Sequence, residues 1–272
     1  MMKGLGEREN RLYAGDPANK KRIEDLLRFQ QVSAMTWLAL QSSHYQTPSW
    51  TVMGLTHVSA DSRGGLLMKD VLIIDQAVPT SVQDVLANIA LGDKINWFRS
   101  KGATYSEGTA QLFPLTPDAL DVQQFTHLIY ELTQPVSQFF PAILPVMTAI
   151  PYTIKQLIRI KMNLCVYAKT DNPNAHGMPH VDFTEIKEPL MSAVYYVNDS
   201  TGDTLIFDQR FGQKAPLTVK ARVTPKKGRL VVFDGALLHA GNTPKTNAPR
   251  ININFDAFVY EGARPCTSIQ VA

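Results

Sequence analysis

From Ile158 to Tyr260 the chain reads almost entirely as short β-strands, and this stretch limits the possible folds more than any other. Residues suited to strands run through 159–169, 180–183, 190–197, 203–208, 216–223, 229–234 and 250–260. Turn-forming clusters separate them: Asn172-Pro173-Asn174, Asp199-Ser200-Thr201-Gly202, Pro225-Lys226-Lys227-Gly228 and Gly241-Asn242-Thr243-Pro244. Each such strand must bury a face against another layer, so many of them in series favour two facing sheets. The expected architecture is a jelly roll or related two-sheet barrel.

The chain ahead of it is less regular. Val71-Leu72-Ile73-Ile74-Asp75 reads as a short strand, and Pro79-Thr80-Ser81 opens a helix expected to run through Leu91. Asn96-Trp97-Phe98 is a loop or strand. Between Asp118 and Phe140 the residues Leu120, Phe125, Leu128, Ile129, Leu132 and Val136 fall near helical spacing, which predicts a long amphipathic helix. Asp16 and Pro17 suit the start of another helix over 20–40, whereas 41–65 carries no sustained period. We therefore expect an N-terminal extension at 1–67, a helical part at 76–157 and a β-sandwich at 158–260, within a domain spanning 68–272.

Charge and composition narrow the function classes. A net charge of +3 over 272 residues is too small to argue for nucleic acid by itself. Two cysteines, Cys165 and Cys266, make no disulfide framework, and a reducing cytoplasm is the expected location. The first ten residues show no apolar core of a secretory signal. The apolar run from Phe139 to Ile150 is interrupted by Pro141 and Pro145 and is too short to span a bilayer.

Within the β-rich half, Met178-Pro179-His180-Val181-Asp182-Phe183 places an imidazole and a carboxylate two residues apart. On an extended chain such residues share a face, so His180 and Asp182 can both address one divalent metal. His239, in Phe233-Asp234-Gly235-Ala236-Leu237-Leu238-His239, is the candidate third ligand. Two His and one carboxylate on one side of a metal is the arrangement of non-haem Fe(II) oxygenases. A zinc-protease pair of His176 and His180 is rejected, because Gly177 and Pro179 oppose the helix that such a pair needs. His44, His57 and His127 have no partner at ligand spacing and read as surface or structural residues. No Gly-x-Gly-x-x-Gly, phosphate loop or nucleophile elbow is present.

Strict alternation in Arg250-Ile251-Asn252-Ile253-Asn254-Phe255 puts Arg250, Asn252 and Asn254 on one face and the apolar residues on the other. The polar face either meets water or lines a cavity. In a cavity, Arg250 would offer a two-pronged fork to a carboxylate.

In order and spacing these residues resemble the 2-oxoglutarate/Fe(II)-dependent oxygenases, of the prolyl 4-hydroxylase-like phage and bacterial type. His239 follows His180 by 59 positions and Arg250 follows His239 by 11. Tyr195-Tyr196-Val197-Asn198 with Thr201-Gly202-Asp203-Thr204-Leu205-Ile206-Phe207 is similar to that family's Tyr-Leu-Asn … Gly-Gly-x-x-x-Phe segment, and Arg229 to Gly235 resembles the strand before its distal His. The strand-and-helix opening at Val71 to Pro79 looks like the family's own.

The resemblance, covering about residues 68 to 260, implies a mainly β (α+β) double-stranded β-helix, the jelly roll, with supporting N-terminal helices. It implies that His180, Asp182 and His239 hold Fe(II), that Arg250 pairs with the distal carboxylate of 2-oxoglutarate, and that Tyr195 and Tyr167 lie at this co-substrate. Oxygen would be the oxidant, ascorbate an accessory reductant, and the product a hydroxylated C–H bond, with a peptidyl proline as one substrate class. Expected partners are thus a peptide, protein or small-molecule substrate, with no membrane.

Two departures stand out: Asn252 where many members have Ser, and Arg250 where collagen-type enzymes have Lys. Asp256 also stands where the alkylation-repair demethylases place a second Arg, which argues against nucleic acid. Seven basic residues between Asp208 and Asp234 (Arg210, Lys214, Lys220, Arg222, Lys226, Lys227 and Arg229) form either a solvated hairpin face or an anion-attracting one. A small-molecule hydroxylase, a nucleic-acid demethylase and a non-catalytic metal-binding jelly roll remain open as alternatives.

Overall fold

A computed structural model of the chain describes residues 71–100 and 118–260, apart from 121, 122, 168, 171, 173, 185–187 and 214. The expected extension at 1–67, its helix after Asp16, and His44 and His57 lie outside the described residues. In chain order the elements are β1 (Leu72–Ile74), α1 (Thr80–Leu91), β2 (Phe98–Arg99), β3 (Ala119–Leu120), β4 (Gln124–Glu131) and β5 (Gln134–Pro135). Then come α2 (Phe140–Thr148), β6 (Ile154–Cys165), β7 (His176–Gly177), β8 (Leu190–Tyr196) and β9 (Thr204–Arg210). The chain closes with β10 (Val219–Val223), β11 (Leu230–Asp234), β12 (Leu237–Gly241) and β13 (Arg250–Val259).

Alternation along the strands builds two layers. The larger sheet runs β1-β11-β8-β13-β6-β4-β2, with β5 paired to β4, and the smaller runs β10-β9-β12. Between them Val194, Tyr196, Val231 and Phe233 of the large sheet pack with Ile206, Val223 and Leu237 of the small one. On the far side of the small sheet, Leu205, Phe207, Leu238 and Ala240 bury against Val181. The other face of β13 is buried too, with Ile251, Ile253 and Phe255 fully enclosed. The fold is the expected mainly β jelly roll.

Residues 118–140 do not form the expected amphipathic helix. Gln124–Glu131 is a strand, paired antiparallel to β6 from Gln124↔Cys165 to Glu131↔Arg159. The helical spacing was coincidental, because it runs across a turn in which Leu132 has φ 56°. Phe125, Thr126, Ile129 and Tyr130 are strand formers, and pairing along β6 satisfies a ladder of backbone groups that a helix would leave open. His127 thereby sits in a strand, with Nδ1 2.9 Å from the Asn96 carbonyl and Nε2 2.8 Å from Ser137 Oγ. The helix of this region comes later, as α2, inside the proline-containing apolar run; Pro141 falls in its first turn, where no helical partner is lost.

Strand β12 was unforeseen, although its His239 was singled out. A two-residue turn, Gly235-Ala236, joins it to β11, and the Asp234 carboxylate accepts the Ala236 N–H at 2.9 Å. Conversely 180–183 is no full strand: His180 makes only an isolated bridge to His239.

The basic run is charge-compensated. Arg210 pairs with Asp234, Lys220 with Asp208 (3.7 Å), Arg222 with Asp203 (3.3 Å), Lys226 with Asp75 (3.9 Å), Lys227 with Asp84 (2.5 Å) and Arg229 with Asp75 (2.7 Å). Lys214 lies outside the described residues. Among the described residues no helix is long and apolar enough to cross a membrane.

Candidate metal centre

The two imidazoles are brought together by backbone pairing. His180 N–H donates to the His239 carbonyl at 2.9 Å and His239 N–H returns the bond at 2.8 Å, leaving the ring centroids 4.5 Å apart. His180 Nδ1 lies 2.9 Å from the Met178 carbonyl and His239 Nδ1 lies 3.2 Å from that of Leu237. A carbonyl only accepts, so each Nδ1 carries a proton; His180 Nε2 keeps its lone pair, and on His239 Nε2 the proton shared with Asp182 is the one a cation would displace. Asp182 Oδ2 is 3.3 Å from His239 Nε2, and one ligand atom from each of the three residues lies within 4.8 Å of the others.

Electrostatics match this role. Burial, aided by the neighbouring His239, lowers the His180 pKa to about 3, so this imidazole is neutral at ordinary pH. Burial alone would raise Asp182, but the hydrogen bond with His239 and the Arg159 charge hold it well below the usual carboxylate range. For His239 burial works downward, and the hydrogen bond with Asp182 reverses it and raises the pKa. The anionic carboxylate and two imidazole nitrogens are a donor set that suits ferrous iron.

The three candidate ligands line a cavity that extends over the polar face of β13 and β6, past Lys161, Asn163, Asn252 and Asn242 to Arg250. Arg250 is 5% exposed, its Nε donating to the Gly202 carbonyl at 2.7 Å and its Nη2 to Thr204 Oγ1 at 2.6 Å. Its guanidinium carbon stands 5.6 Å from the Tyr196 ring centroid. Gly202 is needed here: a Cβ would come within 2.6 Å of the Asn242 carbonyl and 3.1 Å of Arg250 Cδ. The cavity also holds a buried acceptor without a partner among the described residues, Asn242 Oδ1. An acceptor left so is completed by a donor such as a bound water, whereas the fixed Arg250 guanidinium is the group in this cavity suited to a carboxylate.

The structure thus brings His180, Asp182, His239 and Arg250 to one cavity and leaves both expected tyrosines outside its lining. Tyr195 is corrected by register. It lies opposite Ile253 and so faces away from Arg250, with its buried hydroxyl unpartnered among the described residues and its phenol pKa raised by burial. Its neighbour Tyr196 is opposite Asn252 on the cavity side and donates to Thr204 Oγ1 at 2.6 Å. Tyr167 lies beyond the end of β6 and is 43% exposed. Lys161, Asn163 and Arg159 went unread because they become neighbours of Asn254, Asn252 and Asp256 only through the β6–β13 register.

Residues 162–255 match the family model described as the 2OG-Fe(II) oxygenase superfamily. That span is similar to the 2OG-Fe(II) oxygenases. The matched span runs from the middle of β6 into β13 and contains all three metal-ligand candidates and Arg250. The cofactors of such an oxygenase are Fe(II), 2-oxoglutarate and O2. No curated protein matches the chain.

Solved structures similar to the chain include a Trichoplax adhaerens prolyl hydroxylase in complex with a hypoxia inducible factor peptide fragment, at 11% identity and TM-score 0.47, covering 70% of this chain and 83% of that one. A Pseudomonas putida prolyl-4-hydroxylase is 16% identical with TM-score 0.41, covering 70% and 91%. A viral collagen prolyl hydroxylase from Paramecium Bursaria Chlorella virus-1 is 14% identical with TM-score 0.44, covering 76% and 99%.

Proposed function

We propose that the chain hydroxylates an unactivated C–H bond, with a peptidyl proline or similar residue as substrate. His180, Asp182 and His239 would hold Fe(II), and Arg250 would pair with the distal carboxylate of 2-oxoglutarate. One observation carries the reading: three suitable ligand atoms within 4.8 Å of one another share a cavity with a buried, pre-oriented guanidinium. Bound together, ferrous iron and the keto acid couple its oxidative decarboxylation by O2, to succinate and CO2, to hydroxylation of a substrate C–H.

The chain's own part is to hold and orient. The bonds from Arg250 to Gly202 and Thr204 fix the fork before a carboxylate arrives, which reduces the ordering cost of binding. The backbone bridge between His180 and His239 fixes two ligands in the same way. The compensated basic run supports a peptide or small molecule over a nucleic acid.

Iron-loaded protein supplied with 2-oxoglutarate and O2 should form succinate, and a peptide pool should yield products heavier by one oxygen. His180→Ala and Asp182→Ala should each weaken iron binding about a hundredfold. Unchanged metal uptake in both variants would overturn the ligand assignment. Oxygen incorporation into free amino acids or nucleotides, with none into peptides, would replace the substrate class while leaving the chemistry in place.

A further inference from the structure

Asp256 is fully buried on the polar face of β13, and no step proposed so far uses it. Buried acids are costly unless paired, and an apolar residue of similar size would commonly serve stability as well. Its partners show what it does. Asp256 Oδ2 accepts from Arg159 Nε at 3.2 Å and from Nη2 at 3.0 Å, while Oδ1 accepts from Ser192 Oγ at 3.0 Å. The same Arg159 Nη2 donates to Asp182 Oδ1 at 2.5 Å, and the guanidinium lies over the Phe183 ring, 4.8 Å from its centroid. Asp182 Oδ2, the oxygen turned toward His239, accepts from Asn254 Nδ2 at 2.9 Å.

We infer that Arg159, clamped from behind by Asp256, is a positioning residue that holds Asp182 Oδ1 and so keeps Oδ2, which Asn254 also steadies, turned toward the cation. This rests on the reading of Asp182 as a metal ligand. The segment that carries Asp182 is tied to the small sheet through the His180–His239 bridge. Arg159 supplies a tie to the large sheet, gripping Asp182 and its neighbour Phe183 together. A lone guanidinium beside a metal ligand would repel the cation. Asp256 fixes the fork from behind through two hydrogen bonds to one oxygen, which accounts for a carboxyl group in a position otherwise suited to an apolar side chain. Arginine is required because its planar fork reaches two carboxylates at once, whereas a lysine ammonium offers a single charged point.

The test is Co(II) binding to the metal-free full chain, read by titration calorimetry and by the cobalt visible spectrum, alongside the thermal unfolding midpoint. Arg159→Met and Asp256→Asn should each weaken Co(II) by about tenfold or more and alter the spectrum, as loss of a ligand's orienting partner does. Arg159→Lys should restore neither, because it keeps the charge without the bridge. Asp182→Ala serves as the reference for the underlying reading. If it binds Co(II) as well as the parent chain, or if the parent chain binds none, the ligand assignment fails and the inference with it. If Asp182→Ala loses binding while Arg159→Met and Asp256→Asn keep the parent affinity and spectrum, the positioning role alone is overturned. Tighter binding in Arg159→Met would also overturn it, leaving the guanidinium as a mere repellent. Should Arg159→Met fail to fold, Asp256→Asn, which preserves shape, decides by the same two readouts.

Discussion

At the scale of single residues, two adjacent tyrosines make opposite predictions. Tyr196 shares Thr204 Oγ1 with Arg250, so its hydroxyl braces the acceptor that orients the guanidinium. Tyr196→Phe should cost about 1 kcal/mol of stability and weaken 2-oxoglutarate binding several-fold, as removal of a buried hydrogen bond does. Tyr195→Phe deletes a buried hydroxyl that has no partner among the described residues, so stability should hold or rise and co-substrate affinity should not change. Denaturant unfolding and anaerobic 2-oxoglutarate titration check both, and equal effects of the two variants would contradict the register assignment. The candidate metal ligands were legible in the sequence because His-x-Asp alternation and a distal His are properties of spacing. Which of two neighbouring tyrosines faces the cavity depends on how β8 lies against β13, and spacing does not encode that pairing.

At the scale of elements, Arg250 and Gly202 belong to different segments that meet where the turn before β9 passes the start of β13. Arg250→Ala should raise the 2-oxoglutarate dissociation constant by about a hundredfold, the scale of a lost charged, hydrogen-bonded partner, and leave iron affinity nearly unchanged. Gly202→Ala should act in the same direction by displacing the arginine stem, and should also lower the unfolding midpoint, since its Cβ would meet the Asn242 carbonyl at 2.6 Å. Co-substrate titration in iron-loaded variants separates these effects from metal loss. Strand boundaries across the β-rich half were readable from turn residues, but the nature of 118–140 was not. An apolar set at helical spacing there proved to be a strand and the turn after it, and pairing with β6 outweighed local periodicity.

For the molecule as a whole, acidic residues scattered between Asp75 and Asp234 neutralise the basic run of one hairpin region, a match that depends on the tertiary fold and is invisible in the order of residues. The Asp75–Arg229 pair links the entry strand to the start of β11 through two hydrogen bonds of 2.7 and 2.9 Å. The hydrogen bond from Arg229 holds the Asp75 carboxyl below its usual pKa, so its stabilisation is present above the ordinary carboxylate range and fades as pH falls through the lowered value. The Asp75 side chain is 39% exposed, so solvent screening limits the contribution to under about 1 kcal/mol. Asp75→Asn should therefore be slightly less stable than the parent chain near neutral pH, and the two should converge in acid. A gap in unfolding free energy that widened on acidification would reverse the assigned sign.

Strand β10 is one of the two outer strands of the small sheet, and its burial pattern is mostly open to solvent. An outer strand offers unpaired amides and carbonyls to any other chain that comes alongside, and long charged side chains discourage such pairing. Lys220 and Arg222 stand on this strand, where their charges are placed to oppose such pairing as well as to meet nearby carboxylates. Replacing both by Ser should leave iron and co-substrate binding intact while hastening the onset of light scattering on heating. Earlier aggregation in that double variant, with binding unchanged, is the outcome expected if the two cations shield the open edge of β10.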